Sequence, residues 1–540
     1  MTGRLFGKGA GTAAALASLT LVGALAAPAG AVPHRPAPAP GLRVGAPGLT
    51  ETRTTTALAP GVTLTRIVRG ADAPAREWTA EVSVPGGAGS PDPDAPPAAL
   101  RDRASAEELA ARLRADGFGA RVEEVVAARA ADFAGGTLGW RVRVGRYGAE
   151  GEATAARAAL AAAGYTASAW YTGWDGDAQD RGPWRIDVLT IDPKRFRGAV
   201  SATYGPDLER RETTSELARA AGAKAAVNAG FFVLDPQAGA PGDPAGVGVY
   251  GGKVLSEATN GRPALVVRGA RAEVGRFTWR GRLTAREGTA PLDGINRVPG
   301  LIRNCGGTRD DLPVSVPRHD TTCTDPDELV VFTEEFGAST PKGPGVEAVL
   351  DRAGRVTGVR SPRGGALPPG GSSVQATGAE AARLTAWARP GRVLRVTGGL
   401  RDAHGRAVTP SARTSIVNGG PELVRDGRVH VTPATDGMVQ PGNPGFFYGW
   451  VLKRNPRTFA GTDAAGRTVL VTADGRSTAS LGLSIEETAR VAHSLGLREA
   501  LNLDGGGSTT MAIDGTMINQ PSDATGERPV GDALVVVPEG

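Results

Sequence analysis

Histidine and cysteine are both scarce in this sequence, with five of the one and two of the other in 540 residues. The histidines are His34, His319, His404, His430 and His493, and none stands inside a chemical motif. A Ser/His/Asp triad through Ser508 is therefore poorly supplied. The cysteines, Cys305 and Cys323, share one polar loop with only His319 nearby. Two cysteines and one histidine do not make a zinc set, so a disulfide closing that loop is expected and no metal or other cofactor. Beyond the first thirty residues there is no long apolar run, which leaves nothing to span a membrane once the leader is set aside. The formal charge of +5 falls to +3 without Arg4 and Lys8, too mild a balance to argue for nucleic acid.

What is abundant is turn-forming sequence. Seventy-eight glycines and forty prolines, with 40% hydrophobic residues, indicate a soluble chain built more from strands than helices. Its length calls for more than one folded unit. Residues 1–31 have the charged, apolar, small-x-small order of a secretory signal peptide, which implies a secreted protein. The Pro/Ala-rich stretch 32–54 reads as a leader. A first strand is expected over 55–70, continuing only at Trp184–Asp192 after a separate unit at 75–178.

That unit repeats itself. A strand at Trp78–Val84, a helix opened by Ser105 and Glu108, and a strand from Ala120 are followed by a second strand, helix and strand from Trp140, Ala153 and Tyr165. The expected fold is α+β: a large mainly β domain over 180–540 with a few helices, interrupted by a small ferredoxin-like βαββαβ unit. Trp170, Tyr171 and Trp174 are either a sugar-stacking face or core and rim.

The densest chemistry lies in Asn502-Leu503-Asp504-Gly505-Gly506-Gly507-Ser508-Thr509. An apolar strand delivers Asn502 and Asp504 to three glycines whose backbone can approach a ligand closely. The amides of Gly505, Gly506, Gly507 and Ser508 are candidates for an anion nest, and Arg457 for a bidentate phosphate contact. A helix, a glycine stop, a short strand and a terminal Asn occur twice, ending at Asn228 and Asn502, so both amides are expected at one cleft.

Asn455-Pro456-Arg457-Thr458-Phe459-Ala460-Gly461, Ala473-Asp474-Gly475-Arg476, Ala500 to Met511 and Pro521 to Val530 occur in that order. Upstream stand Ala226-Val227-Asn228-Ala229-Gly230-Phe231-Phe232, Gly294-Ile295-Asn296-Arg297 and Gly419-Gly420-Pro421. This series resembles the phosphodiester glycosidase family, and residues 75–178 resemble the SPOR domain. The first resemblance implies hydrolysis of a sugar-1-phosphodiester through an oxocarbenium-like transition state. Asp504 is then the first candidate for the attacking or water-activating carboxylate, with Glu527 and Asp474 competing for the second role. Arg457 would take the phosphate, while Asn228, Thr458, Asn502, Gly505 to Thr509 and Arg528 would bind substrate. The implied partners are a phosphosugar glycan and, through the SPOR-like unit, peptidoglycan glycan strands at the cell wall. A non-catalytic wall-binding protein is the competing reading.

Overall fold

The computed structural model describes residues 41–71, 76–84, 98–259, 261–305 and 317–539. The signal peptide read over 1–31 lies outside them. Within the stretch read as a leader, Leu42 and Val44 are buried. From Glu51 the chain is already a strand, Glu51–Ala59, turning at Pro60-Gly61 into Val62–Arg69.

The chain is mostly β with few helices, an α+β arrangement. Its centre is an eight-stranded antiparallel sheet in the order Glu51–Ala59, Val62–Arg69, Trp184–Ile191, Thr468–Ala473, Arg457–Asp463, Leu497–Asn502, Glu422–Arg425, Arg428–Val429. Val62–Arg69 pairs directly with Trp184–Ile191, so the polypeptide leaves the sheet after Arg69 and returns to the neighbouring position. The middle strands read as near-continuous apolar runs because both faces are covered. Ile186, Val188, Phe459, Val471 and Ala500 face the helix Ile485–Ser494, whereas Leu189, Ile191, Ala460, Leu470 and Leu501 face a second, five-stranded sheet containing Ala225–Asn228 and Ala533–Pro538. This period-two split fixes the register, since a slip by one residue would exchange the two cores.

Both expected helix-glycine-strand units form. Thr213 with Glu216 caps Thr214–Ala220, and Ser484 with Glu487 caps Ile485–Ser494. They feed Ala225–Asn228 and Leu497–Asn502, which lie in different sheets. A further five-stranded sheet with the helix Gly378–Trp387 has its own core around Leu329, Val374 and Leu384.

Between Arg69 and Trp184 the strands Ala120–Ala127, Gly136–Tyr147, Trp78–Val82 and Ala167–Tyr171 form an antiparallel sheet in that order. The helices Arg103–Ala115 and Glu150–Ala162 cover one face through Leu109, Leu113 and Leu160. The first helix starts earlier than the sequence suggests. Asp102, not Ser105, is its cap, accepting from the Ser105 amide at 2.9 Å. Side chains from the other face meet the rest of the chain. The guanidinium of Arg143 reaches Glu81 at 2.8 Å and Asp175 at 2.6 Å, and Glu81 accepts from Tyr448 and Lys453 at 2.8 and 2.6 Å. Burial opposes ionisation of Glu81, but Lys453, Arg143 and Arg141 outweigh it and hold the carboxyl below the usual range. Trp170, Tyr171 and Trp174 are rim: the Lys453 ammonium lies 3.6 Å from the Trp170 ring centroid, and Trp174 stacks edge-on against both Trp170 and Tyr171.

Candidate active site

Asp504 leaves the middle of the central sheet just beyond Asn502 and enters a single 3-10 turn, Gly506–Ser508. Two neighbouring segments sew this loop in place through three backbone bonds. Leu503 donates to Thr458 O, Asp504 to Ala229 O and Gly506 to Pro456 O, at 2.9, 2.9 and 3.0 Å. Gly506 is required by its backbone conformation, and Gly507 leaves room for a side-chain ion pair. Gly506 has φ +59°, and a Cβ at Gly507 would run into the Arg528 guanidinium and Asp523.

The amides expected to form an anion nest are largely spent within the loop. Gly505 N donates to the Asp504 carboxylate at 3.0 Å, Ser508 N to Gly505 O and Thr509 N to Gly506 O. In this arrangement, positive potential has to come from side chains.

Asn228, Thr458 and Asn502 hold the loop through hydrogen bonds. The Asn228 amide donates to Asp504 O at 2.7 Å, and its carbonyl oxygen accepts from Thr458 Oγ1 at 2.6 Å and Thr510 N at 3.1 Å. Asn502 donates to Gly420 O and Leu503 O. The two amides do converge on one loop from two sheets.

Above the loop is a narrow cavity lined by Asp504, Ser508 and Arg528, by Arg303, Asn304, His319 and Asp320, and by the rings of Phe231, Phe232 and Trp450. Both arginines are oriented by aspartates. Arg528 forks onto Asp523 at 2.7 and 2.9 Å, and Arg303 pairs with Asp320. The wall carrying Arg303 and His319 is closed by the Cys305–Cys323 disulfide, whose Cα atoms are 5.7 Å apart, and by the pairing of Leu301–Arg303 with Thr322–Thr324. Asn304 and Asp320 both adopt left-handed φ near +55°, and Asp320 N donates to Asn304 Oδ1 at 2.8 Å.

Burial, with Arg262 and Arg303 close by, pushes the His319 imidazole well below its usual pKa, so the ring is neutral. Arg262 Nη1 sits 3.3 Å from Nδ1. A guanidinium only donates, so Nδ1 accepts and the ring proton is assigned to Nε2. The ring packs edge-on against Phe231 and Trp450, with centroids 4.3 and 5.0 Å away. The Trp450 indole N–H has no acceptor among the described residues.

Of the residues expected from sequence, Asp504, Ser508 and Arg528 meet at this cavity, and three others lie elsewhere. Arg457 is buried directly beneath Gly505 and donates to Leu483 O and Trp450 O at 2.9 and 2.7 Å; burial, with Arg476 nearby, brings its pKa down to about 9. Glu527 accepts from Ser215 N at the start of a helix. Asp474 accepts from Asn519 and Gln520 and lies near Asp187, whose carboxyl burial pushes up to about 6. Sequence reasoning missed Arg303, Asn304, His319, Asp320, Phe231, Phe232 and Trp450 as cavity wall. The one available signal was that both cysteines flank polar pairs, Arg303-Asn304 before Cys305 and His319-Asp320 before Cys323.

Asp504, two aspartate-paired guanidinium groups and three aromatic rings thus line one cavity on a mainly β scaffold. A family model described as phosphodiester glycosidase matches residues 344–537, and one described as SPOR domain matches residues 98–169. The crystal structure of a putative exported protein from Burkholderia pseudomallei is 34% identical with a TM-score of 0.82, covering 93% of this chain and 99% of that one. A hypothetical protein from Synechocystis, 15% identical with a TM-score of 0.52 over 93% of this chain and 81% of that one, shares the fold. Residues 344–537 are thus a phosphodiester glycosidase domain, and residues 98–169 a SPOR domain. Mouse N-acetylglucosamine-1-phosphodiester alpha-N-acetylglucosaminidase is 33% identical over 102 residues, 19% of this chain. The match spans about a fifth of that curated relative's length, 20%.

Proposed function

We propose that the protein is an exported hydrolase that cleaves the sugar–phosphate linkage of sugar-1-phosphodiesters in cell-envelope glycans. The observation that supports this reading is that Asp504, Arg303 and Arg528 line one cavity. The two guanidinium groups take the phosphate oxygens, and the rings of Phe231 and Trp450 take a face of the sugar. Asp504 attacks the anomeric carbon or activates the water that does. The bond from that carbon to the bridging oxygen breaks, its electrons leave with the phosphate, and a phosphomonoester results. Such an anion needs little protonation. A neutral His319 donating from Nε2 suits that demand better than a strong general acid.

Residues 55–70 and 180–540 form the glycosidase domain in this reading, with a ferredoxin-like SPOR unit inserted at 75–178. The return of the chain to the same sheet supports the insertion, as does the four-stranded order of the inserted sheet. The SPOR unit would hold the enzyme near peptidoglycan strands through a surface other than Trp170 and Trp174, which are engaged with Lys453 and with each other.

The test is incubation of the full chain with N-acetylglucosamine-1-phosphodiesters in oxygen-18 water. Free N-acetylglucosamine carrying the label, lost in a folded Asp504→Asn protein, is the expected result. Label in the phosphate would overturn the bond assignment. No sugar release across a panel of such diesters would leave a glycan-binding protein.

A further inference from the structure

Behind the wall that carries Arg303, a second small cavity is lined by Asp243, Glu257 and Thr259 among others. Asp243 belongs to the glycine-rich loop after Phe232, which is tied down by Val233 N to Asp243 O at 2.8 Å and Asp243 N to Ala240 O at 3.1 Å. Its side chain is 2% exposed, and neither carboxylate oxygen has a hydrogen-bond partner among the described residues. Across the cavity, Thr259 is buried with its hydroxyl equally unpartnered. Glu257 accepts from Ile295 N at 3.0 Å and Arg297 Nε at 2.6 Å, each of its oxygens keeping a second lone pair.

The cations on this wall do not answer Asp243. Arg297 is shared between Glu257 and Glu328, and Arg303 pairs with Asp320. Burial, reinforced by Glu257 and Glu209, pushes the Asp243 carboxyl well above its ordinary pKa. A lone buried carboxylate must be protonated or matched by a cation. Protonation would still leave an O–H without an acceptor and a hydroxyl at Thr259 without a partner.

We propose that this cavity is a structural cation site of the calcium class, ligated by both oxygens of Asp243, by Thr259 Oγ1 and by Glu257. Hard oxygen donors with no nitrogen or sulfur favour calcium over transition metals, and an irregular glycine loop suits its variable geometry better than the strict octahedron of magnesium. Arg303 lines this cavity as well as the candidate active site, so the bound ion would stiffen the wall that orients that guanidinium. The inference does not depend on the sugar-phosphate reading.

The experiment is calcium titration of the EDTA-treated full chain by calorimetry, with thermal unfolding in calcium, magnesium and EDTA. The expected result is uptake of about one calcium per chain with a raised unfolding midpoint. Asp243→Asn should abolish both effects while unfolding in EDTA no earlier than the parent. Thr259→Val should weaken calcium roughly tenfold with its EDTA midpoint unchanged, because that hydroxyl has no partner in the fold. No calcium uptake at millimolar concentration overturns the proposal, as does uptake that persists in Asp243→Asn. Magnesium binding as tight as calcium overturns the ion class.

Discussion

Asn228 and Asp504 lie 276 positions apart in the chain, at the ends of strands from different sheets, yet the Asn228 amide donates to the Asp504 carbonyl just beyond its strand at 2.7 Å. Through its own oxygen Asn228 also takes Thr458 Oγ1 and Thr510 N, so a single buried side chain sets where the glycine turn begins. Asn228→Ala removes three hydrogen bonds and strands a buried hydroxyl and amide. We expect a loss of about 2–4 kcal/mol, read as a lowered urea midpoint at constant m-value. Turnover should fall with it because Asp504 shifts.

Arg528 is held as a fork by both oxygens of Asp523. Lysine keeps the charge but not the plane. Arg528→Lys should cost roughly 100-fold in kcat/KM on a sugar-1-phosphodiester with little change in thermal midpoint. Equal activity in the lysine variant would show that the guanidinium geometry is not used.

Arg457 behaves oppositely. Its guanidinium is buried and serves the carbonyls of Leu483 and Trp450, so Arg457→Ala removes both bonds and leaves the Trp450 oxygen without its donor beneath the loop, while Leu483 O keeps the Asn455 amide. The expected effect is a stability loss of about 2–5 kcal/mol in chemical denaturation. A variant that unfolded like the parent but failed to turn over would return Arg457 to direct phosphate contact.

Reducing Cys305–Cys323 frees the wall bearing Arg303 and His319. The paired serine variant should lose about 3 kcal/mol, the chain-entropy contribution of a loop of this size. Its KM should rise more than its kcat falls, because substrate orientation loosens while Asp504 stays anchored in the sheet. Steady-state kinetics with and without reductant measure this split.

Asp532 accepts from Gly230 N and Tyr250 OH at 2.7 and 2.8 Å, and burial pushes its carboxyl up to about 6. The unfolded chain releases that proton near about 3.9. The folded state therefore binds more protons between these values, and stability falls as pH rises through this window, by up to about 3 kcal/mol. Asp187, also pushed up to about 6 by burial, adds a slope of the same sign. Unfolding free energies from pH 4 to 7 should show a shallower decline in Asp532→Asn, with the remainder shared by Asp187 and the other carboxyls that burial pushes up, Asp243 and Asp474 among them.

Much of this organisation was legible in the residues because it is local. Period-two patterning marks Val62–Arg69 and Trp184–Ile191, and the capping boxes Thr213/Glu216 and Ser484/Glu487 open the two helices. The Asn-x-Asp-Gly-Gly-Gly run marks a strand ending in a close-approach turn, and two cysteines in one polar loop imply their bridge. Whether a polar group faces a ligand or its own backbone is a matter of tertiary structure. The same Arg-Thr and Gly-Gly-Gly motifs supply structural donors, as Arg457 and the loop amides do, because neighbouring strands bring carbonyls within reach first. Arg303 and His319 reach the site only because distant strands pair and a disulfide closes the wall, which neither residue's sequence neighbourhood encodes. Sequence by itself determined which segments become strands, helices and turns, since those choices rest on spacing and backbone propensity; the fold alone decided which charges are left over to meet a substrate, since that depends on what each buried group finds opposite it.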